Sequence, residues 1–378
     1  MGCKMRALFK NLLALILGVI IGAASIYYLY PKEKEIIKEF QVVSELEYYR
    51  QKFSGMTLRV TAWSGPYTEN FKWAIVEPFE NLYGVNVEII TGWAEFIAML
   101  QASPPDQPPF DVFNLDDYNF IAARNLNRLL PLNLTNIPNA QYVYECLKQK
   151  REEWKSGLAI PFDGGIYTII VNKEVVPFEI TSWSDLERPE LRGLIAMDRT
   201  WYYGLYVGAL MLGQSYLNDS NVDAAFAKIA SIKNSIHAWY SSGAEALQLL
   251  ESKEVGVAIY YTGGTYDAIK RGEPLEIVIP KEGAIAWLGS LSIVSGVSPE
   301  VKELAELFIN FALSPISQTR HVTKSGNFVC GEYAKVPRDQ YFNPASNEEM
   351  DKLAFFDWVY LQEHWTELEN RWNTEILS

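Results

Sequence analysis

Histidine and cysteine are almost missing from this chain: three of each in 378 residues. His237, His321 and His364 stand apart, and none has a second histidine or a carboxylate at ligand spacing in an informative context. A metal centre built on imidazole therefore lacks support. Cys3, Cys146 and Cys330 form no CxxC pair, so zinc ribbons and thioredoxin-like redox chemistry lose theirs. An extracellular location would allow Cys146 and Cys330 to bridge. Basic residues are outnumbered, 33 Lys and Arg against 46 Asp and Glu, for a net charge of −13. Nucleic acid demands a Lys/Arg footprint on its phosphates, and none is present. The acidic balance is compatible with a cationic ligand, and equally with plain solubility. Neither GxSxG nor HExxH occurs. The stretch Thr262–Tyr266, TGGTY, is neither a Walker loop nor GxGxxG. Asp116 and Asp117, read as strand neighbours, point to opposite faces and make a poor acid/base pair. The expectation is a protein without enzymatic activity, cofactor or metal.

What is present is apolar mass. Hydrophobic residues make up 49% of a chain long enough for two domains. Leu12–Tyr30 reads LLALILGVIIGAASIYYLY, long enough to cross a bilayer as a helix. Lys4, Arg6 and Lys10 precede it, which places the N-terminus inside and the rest outside. Residues 1–31 are thus a membrane anchor or signal segment. Ile26–Tyr30 is bulky where a signal peptidase wants small residues, which favours an uncleaved anchor. Residues 32–56 read as a charged helical stalk. The sequons at Asn133 and Asn218 agree with an external location.

The remainder alternates. Leu58–Trp63 is strand-like, and Ser64-Gly65-Pro66 breaks it. Phe71–Tyr83 has helical spacing and ends at Gly84, with Pro78 predicting a kink or a late start. Val85–Ile90, Trp93–Gln101 and Asp111–Asn114 complete a βαβαβ pattern, hence an open α/β sheet. A second run has a strand at Ile166–Val171, a helix at Ala244–Leu250 capped by Ser242, a strand at Val255–Tyr261 and a helix opened by Gly263-Gly264. Trp358–Leu377 reads as one aromatic-rich helix packed for structure. Ligands of open α/β sheets sit beyond the C-terminal strand ends. That rule selects Trp63 to Tyr67, Asp116 to Tyr118, and Tyr260 to Thr262. Aromatics and acids gather there, and basic residues do not. Aromatic faces and carboxylates are what a cation seeks, although single aromatics at such positions also pack cores.

Three stretches carry a resemblance. Asn172–Gly193 contains ITSWSDLERPELRG, Glu254–Val294 contains YYTGGTYDAIKRGEPLEIVIPKEGAIAWLGSLSIV, and LFINFALSP starts at Leu307. In this order, over roughly residues 57 to 340, they resemble the solute-binding proteins of ABC importers, in particular the spermidine/putrescine-binding branch. The resemblance implies a two-lobe periplasmic-binding-protein-like α/β fold of type II, with mixed sheets. Two hinge crossings are implied, near Asp163-Gly164-Gly165 and near Ala286-Trp287-Leu288. Lobe 1 would hold residues 57–164 plus 288–334, and lobe 2 residues 165–287 plus 335–378. The implied ligand contacts are Trp63, Tyr67, Asp116, Tyr118, Asp163, Thr200, Tyr203, Tyr261 and Trp287. Two departures stand out. Gly289 replaces the branch's amine-holding Asp, and Thr200 and Tyr203 fall where it carries carboxylates. Asp116, Asp163 and Asp198 are the neighbouring sources of charge, whereas Arg199 would suit an acidic ligand. The implied role is a non-enzymatic receptor outside the cell membrane. It would capture a small solute, a polyamine-like cation above all, and pass it to ABC permease and ATPase subunits. An organic anion, ferric ion through Tyr202-Tyr203, or a sensor role are the alternatives.

Overall fold

The computed structural model describes residues 44–93 and 95–378. The apolar stretch Leu12–Tyr30, Cys3 and the first part of the stalk lie outside the described residues. Among the described residues, no helix is long and apolar enough to cross a membrane. Two compact units separate: Met1–Met56 with Glu80–Val85, and Thr57–Phe79 with Asn86–Ser378. In the first, residues 44–53 are helical, and the Gly55 amide donates to the Gly84 carbonyl at 2.8 Å.

The second unit is built on one mixed sheet of twelve strands. In chain order they are β1 (Thr57–Trp63), β2 (Asn86–Gly92), β3 (Val112–Asp116), β4 (Leu129–Leu130), β5 (Ala159–Asn172), β6 (Ile195–Asp198), β7 (Ile236–Tyr240), β8 (Val257–Tyr261), β9 (Leu275–Val278), β10 (Ile285–Val294), β11 (Phe328–Val329) and β12 (Ala354–Phe355). The main order is β2-β1-β3-β10-β5-β8-β6-β7. The sequence expectation of several mixed sheets is corrected to a single continuous one.

Both flanks are parallel and α/β in character: β1 pairs with β2 and β3, and β6 with β7 and β8. The long antiparallel pair β5–β10 runs between them, with Trp287 opposite Gly165 and Gly289 opposite Asp163. All 14 residues of β5 are buried, which explains its apolar run: a strand covered on both faces has no polar side to show. The resembling stretches meet in space. Trp183 is fully buried and its indole N–H donates to the Gly283 carbonyl at 2.8 Å. Glu282 accepts from the Trp183 amide at 3.2 Å.

Several local expectations shift. The helix after β1 begins at Pro66, where a fixed φ and a missing N–H cost nothing. Instead of starting late, it passes through a π-helical turn, Lys72–Val76, just before Pro78. A wider turn accommodates the hydrogen bond that proline cannot donate. The single C-terminal helix is instead three pieces, Trp358–Glu363, Trp365–Arg371 and a π-turn Trp372–Ile376.

Candidate functional site

The C-terminal ends of β1, β2, β3 and β8 open onto one cavity of about 790 Å³, within the usual range of ligand pockets. Ten of its fifteen lining residues are aromatic: Trp63, Trp93, Tyr118, Tyr202, Tyr203, Tyr261, Trp287, Phe356, Trp358 and Trp365. Three are carboxylates, Glu95, Asp116 and Asp117, and Ser64 and Gly92 complete the wall. No lysine, arginine or histidine is among them.

The rings support one another. Trp63 stands edge-on to Trp287, with centroids 4.8 Å apart, and edge-on to Tyr67 at 4.4 Å. Trp358 meets Tyr118 and Tyr202, each at 5.2 Å, and Phe356 meets Tyr203 at 5.3 Å. The hydroxyls of Tyr203 and Tyr261 are hydrogen-bonded to each other. Such edge-to-face contacts hold ring orientation as well as bury area.

The carboxylates are oriented by short local bonds. β3 ends at Asp116, which caps the helix Asp117–Asn125 by accepting from the Asn119 amide at 2.8 Å. Its other oxygen accepts the Trp93 indole N–H at 2.5 Å. Glu95 accepts the Trp93 amide at 2.9 Å, and these backbone bonds hold its carboxyl below the usual range. Asp117 is 2% exposed and lies 3.6 Å from Arg151, which is shared with the buried Glu153. Burial pushes Asp117 well above the ordinary carboxylate range and raises Asp116 as well. The two aspartates are therefore not strand neighbours on opposite faces. One ends the strand, the other opens a helix, and both reach the same wall.

Six of the nine residues expected at the site line the cavity: Trp63, Asp116, Tyr118, Tyr203, Tyr261 and Trp287. Tyr67, Asp163 and Thr200 are not in its wall. Asp163 is fully buried, and one carboxylate oxygen accepts the Tyr67 hydroxyl at 2.8 Å and lies 2.7 Å from His321 Nε2. Asn114 donates to the Tyr67 oxygen at 2.9 Å, and Asn70 donates to the His321 carbonyl at 3.0 Å. A side chain at Gly289 would meet this group. Its Cβ would lie 2.2 Å from Asp163 Oδ1 and 3.0 Å from the Trp63 ring. At this crossing the space beside Gly289 of β10 is occupied by a buried carboxylate of its partner strand β5, Asp163. Thr200 precedes the helix Trp201–Met211, and its amide is held by Asp198 at 2.8 Å. Arg199 is exposed and outside the wall, so it offers an acidic ligand nothing in this cavity.

Sequence reasoning missed Trp93, Glu95 and every C-terminal ring, and named Tyr202 only as half of a ferric-ion pair. Trp93 follows the end of β2 directly, so the strand-end rule would have found it. Phe356, Trp358 and Trp365 correct the expectation that the C-terminal helix only packs. Among the described residues, no group of three His, Cys, Asp or Glu is placed to hold a metal. Burial raises the Tyr202 and Tyr203 hydroxyls above their usual range, which opposes the phenolate form that ferric ion requires. Cys146 and Cys330 are both buried free thiols.

Comparison with known proteins fits this geometry. Residues 74–330 match the family model described as bacterial extracellular solute-binding protein. The spermidine/putrescine-binding periplasmic protein of Salmonella typhimurium is 31% identical over 160 residues. That stretch is 42% of this chain and 45% of the relative, so the chain matches about half of the relative's length. In fold, a spermidine/putrescine ABC transporter substrate-binding protein from Streptococcus pneumoniae superimposes with TM-score 0.72 at 18% identity, covering 85% of this chain and 99% of that one. An ABC transporter structure from Clostridium perfringens gives TM-score 0.72 at 21% identity, covering 84% and 99%.

Proposed function

Because the chain belongs to the family of bacterial extracellular solute-binding proteins, we propose that it is the substrate-binding component of an ABC importer and captures a small organic cation. A polyamine-like ligand is the class its curated relatives suggest. The observation that carries the reading is the cavity wall: ten aromatic residues and three carboxylates, without one basic side chain. Aromatic faces attract a cation through their quadrupole, and carboxylates pair with its N–H groups. An anion would find there neither a counter-charge nor a cationic donor.

Capture proceeds by hinge closure. Residues 57–164 plus 288–334 form one lobe and 165–287 plus 335–378 the other. β5 and β10 cross between them and bend about Gly164, Gly165 and Gly289. Closure brings Trp63 and Tyr118 against Tyr203, Tyr261 and Trp287 and removes water from around the ligand. Asp163, Tyr67 and His321 support the floor under Trp63. The closed form is passed to a permease and its ATPase, with residues 1–31 as the membrane attachment.

The test is a thermal shift of the full chain against putrescine, spermidine, choline, glutamate, citrate and ferric citrate. A ligand at a hundred times its Kd adds about 2.7 kcal/mol of stability. Stabilisation by one or more of the amines supports the reading. Stabilisation by glutamate or citrate alone, or by nothing in the panel, rejects it.

A further inference from the structure

The carboxylates of the cavity are all at one place. Trp93 touches two of them at once, Glu95 through its amide and Asp116 through its indole, and Asp117 follows Asp116 in the chain. The wall formed by Tyr203, Tyr261 and Trp287 contains no carboxylate. Its two hydroxyls are spent on each other. The next acid in that direction, Asp198, stands outside the wall and holds the Thr200 amide at 2.8 Å. Asp117, 2% exposed, turns one carboxylate oxygen to the Arg151 guanidinium at 3.6 Å, which leaves Glu95 and Asp116 as the cavity's carboxylates without a cationic partner within 4 Å among the described residues.

The rest of the enclosure is apolar and comes from an unexpected part of the chain. Phe356, Trp358 and Trp365 lie beyond residues 74–330, the span that matches the family. They are held by firm local structure. β12 pairs in parallel with β10 at Ile285↔Ala354 and Ala286↔Phe355. The Asp357 amide donates to the Tyr206 hydroxyl at 2.7 Å. Trp365 stacks edge-on to Trp201 at 5.1 Å.

Building on the proposed capture of an organic cation, we propose that the ligand bears a single cationic centre on an apolar or aromatic body, and that Phe356, Trp358 and Trp365 exclude linear diamines and triamines by enclosing that body. The cation sits at Glu95 and Asp116. The body lies among Tyr202, Phe356, Trp358 and Trp365. A linear diamine in this cavity places its second ammonium among rings, and an ammonium stripped of water without a counter-charge is strongly disfavoured.

Calorimetric titration of the full chain with benzyltrimethylammonium, putrescine, spermidine and benzoate tests this. Benzyltrimethylammonium is expected to bind at least about tenfold more tightly than putrescine or spermidine, roughly 1.4 kcal/mol. Asp116→Asn keeps a good helix cap and is expected to weaken benzyltrimethylammonium about tenfold or more. Trp365→Leu, at the rim of the enclosure, weakens it and narrows the gap to putrescine, while Asp198→Asn leaves the affinity within about twofold. Putrescine or spermidine binding as tightly or more tightly, with a loss at Asp198→Asn, overturns the single-charge proposal and leaves the cation reading standing. Binding of benzoate alone, or of none of the four, overturns both.

Discussion

Gly289 tests how the crossing strands are built. Replacing its hydrogen by a methyl puts a carbon 2.2 Å from Asp163 Oδ1 and 3.0 Å from the Trp63 ring. The carboxylate has little room to yield: Asp163 is fully buried and held by Tyr67 at 2.8 Å and by His321 at 2.7 Å. Overpacking of this kind costs roughly 1–3 kcal/mol. Pushing Asp163 off its partners adds about 1–3 kcal/mol for buried groups left unpaired. Gly289→Ala is therefore expected to lower stability by roughly 4 kcal/mol, the sum of two mid-range terms. Urea unfolding followed by tryptophan fluorescence measures it, as a lower midpoint at unchanged slope. The second half of the test is a double-mutant cycle. In an Asp163→Ala background the new methyl has space, so the same substitution is expected to cost at least about 1 kcal/mol less. A loss below about 0.5 kcal/mol, or the same loss in both backgrounds, refutes the argument that Asp163 occupies the space above Gly289.

Two further outcomes follow from the wall itself. Burial holds the Asp116 and Asp117 carboxyls above their usual range. As pH rises from about 4, the unfolded chain releases these protons before the folded one does, so the empty protein loses stability through that window. A bound cation favours the charged carboxylate of Asp116, so affinity for benzyltrimethylammonium rises across the same window; an affinity flat in pH counts against Asp116 as its partner. Gly165→Ala places a Cβ 2.3 Å from the Trp287 indole nitrogen. It is expected to swing that ring off Trp63, shift the tryptophan emission and weaken the ligand several-fold, whereas unchanged emission and affinity would mean that Trp287 is not fixed by that strand contact.

How much of this was legible depended on whether the signal was local. The βαβαβ start was readable because strand and helix periods alternate cleanly from Leu58 to Asn114, and the boundaries moved by only a few residues. The strand-end rule located Trp63, Asp116 and Tyr118 because the parallel strands β1 and β3 deliver their C-terminal ends to one side, and Tyr261 because β8, running opposite to them across β10 and β5, ends on the same cavity. The separate reading of Asp116 and Asp117 as strand neighbours on opposite faces failed for a local reason. Asp116 is a helix cap, a role that aspartate favours strongly, and the turn carries both carboxylates to one wall. Tyr67 and Asp163 were misassigned for a different reason. Sequence gives the strand and its position, but the depth of a polar side chain depends on partners such as His321, 158 residues from Asp163.

The C-terminal rings were beyond any local pattern. Phe356, Trp358 and Trp365 reach the cavity because a two-residue strand pairs with the start of β10, and two residues leave no periodicity to read. Aromatic spacing in that segment looked like packing, and part of it is: Trp372 is 1% exposed, donates to the Arg199 carbonyl at 2.9 Å, and fills the core. The same segment thus contributes core at one end and cavity wall at the other. The space above Gly289 is taken by the Asp163 carboxylate, which accepts from Tyr67 beside the Trp63 ring. The cavity wall thus draws its carboxylates from the strand ends around Trp93, and three of its rings from this C-terminal segment.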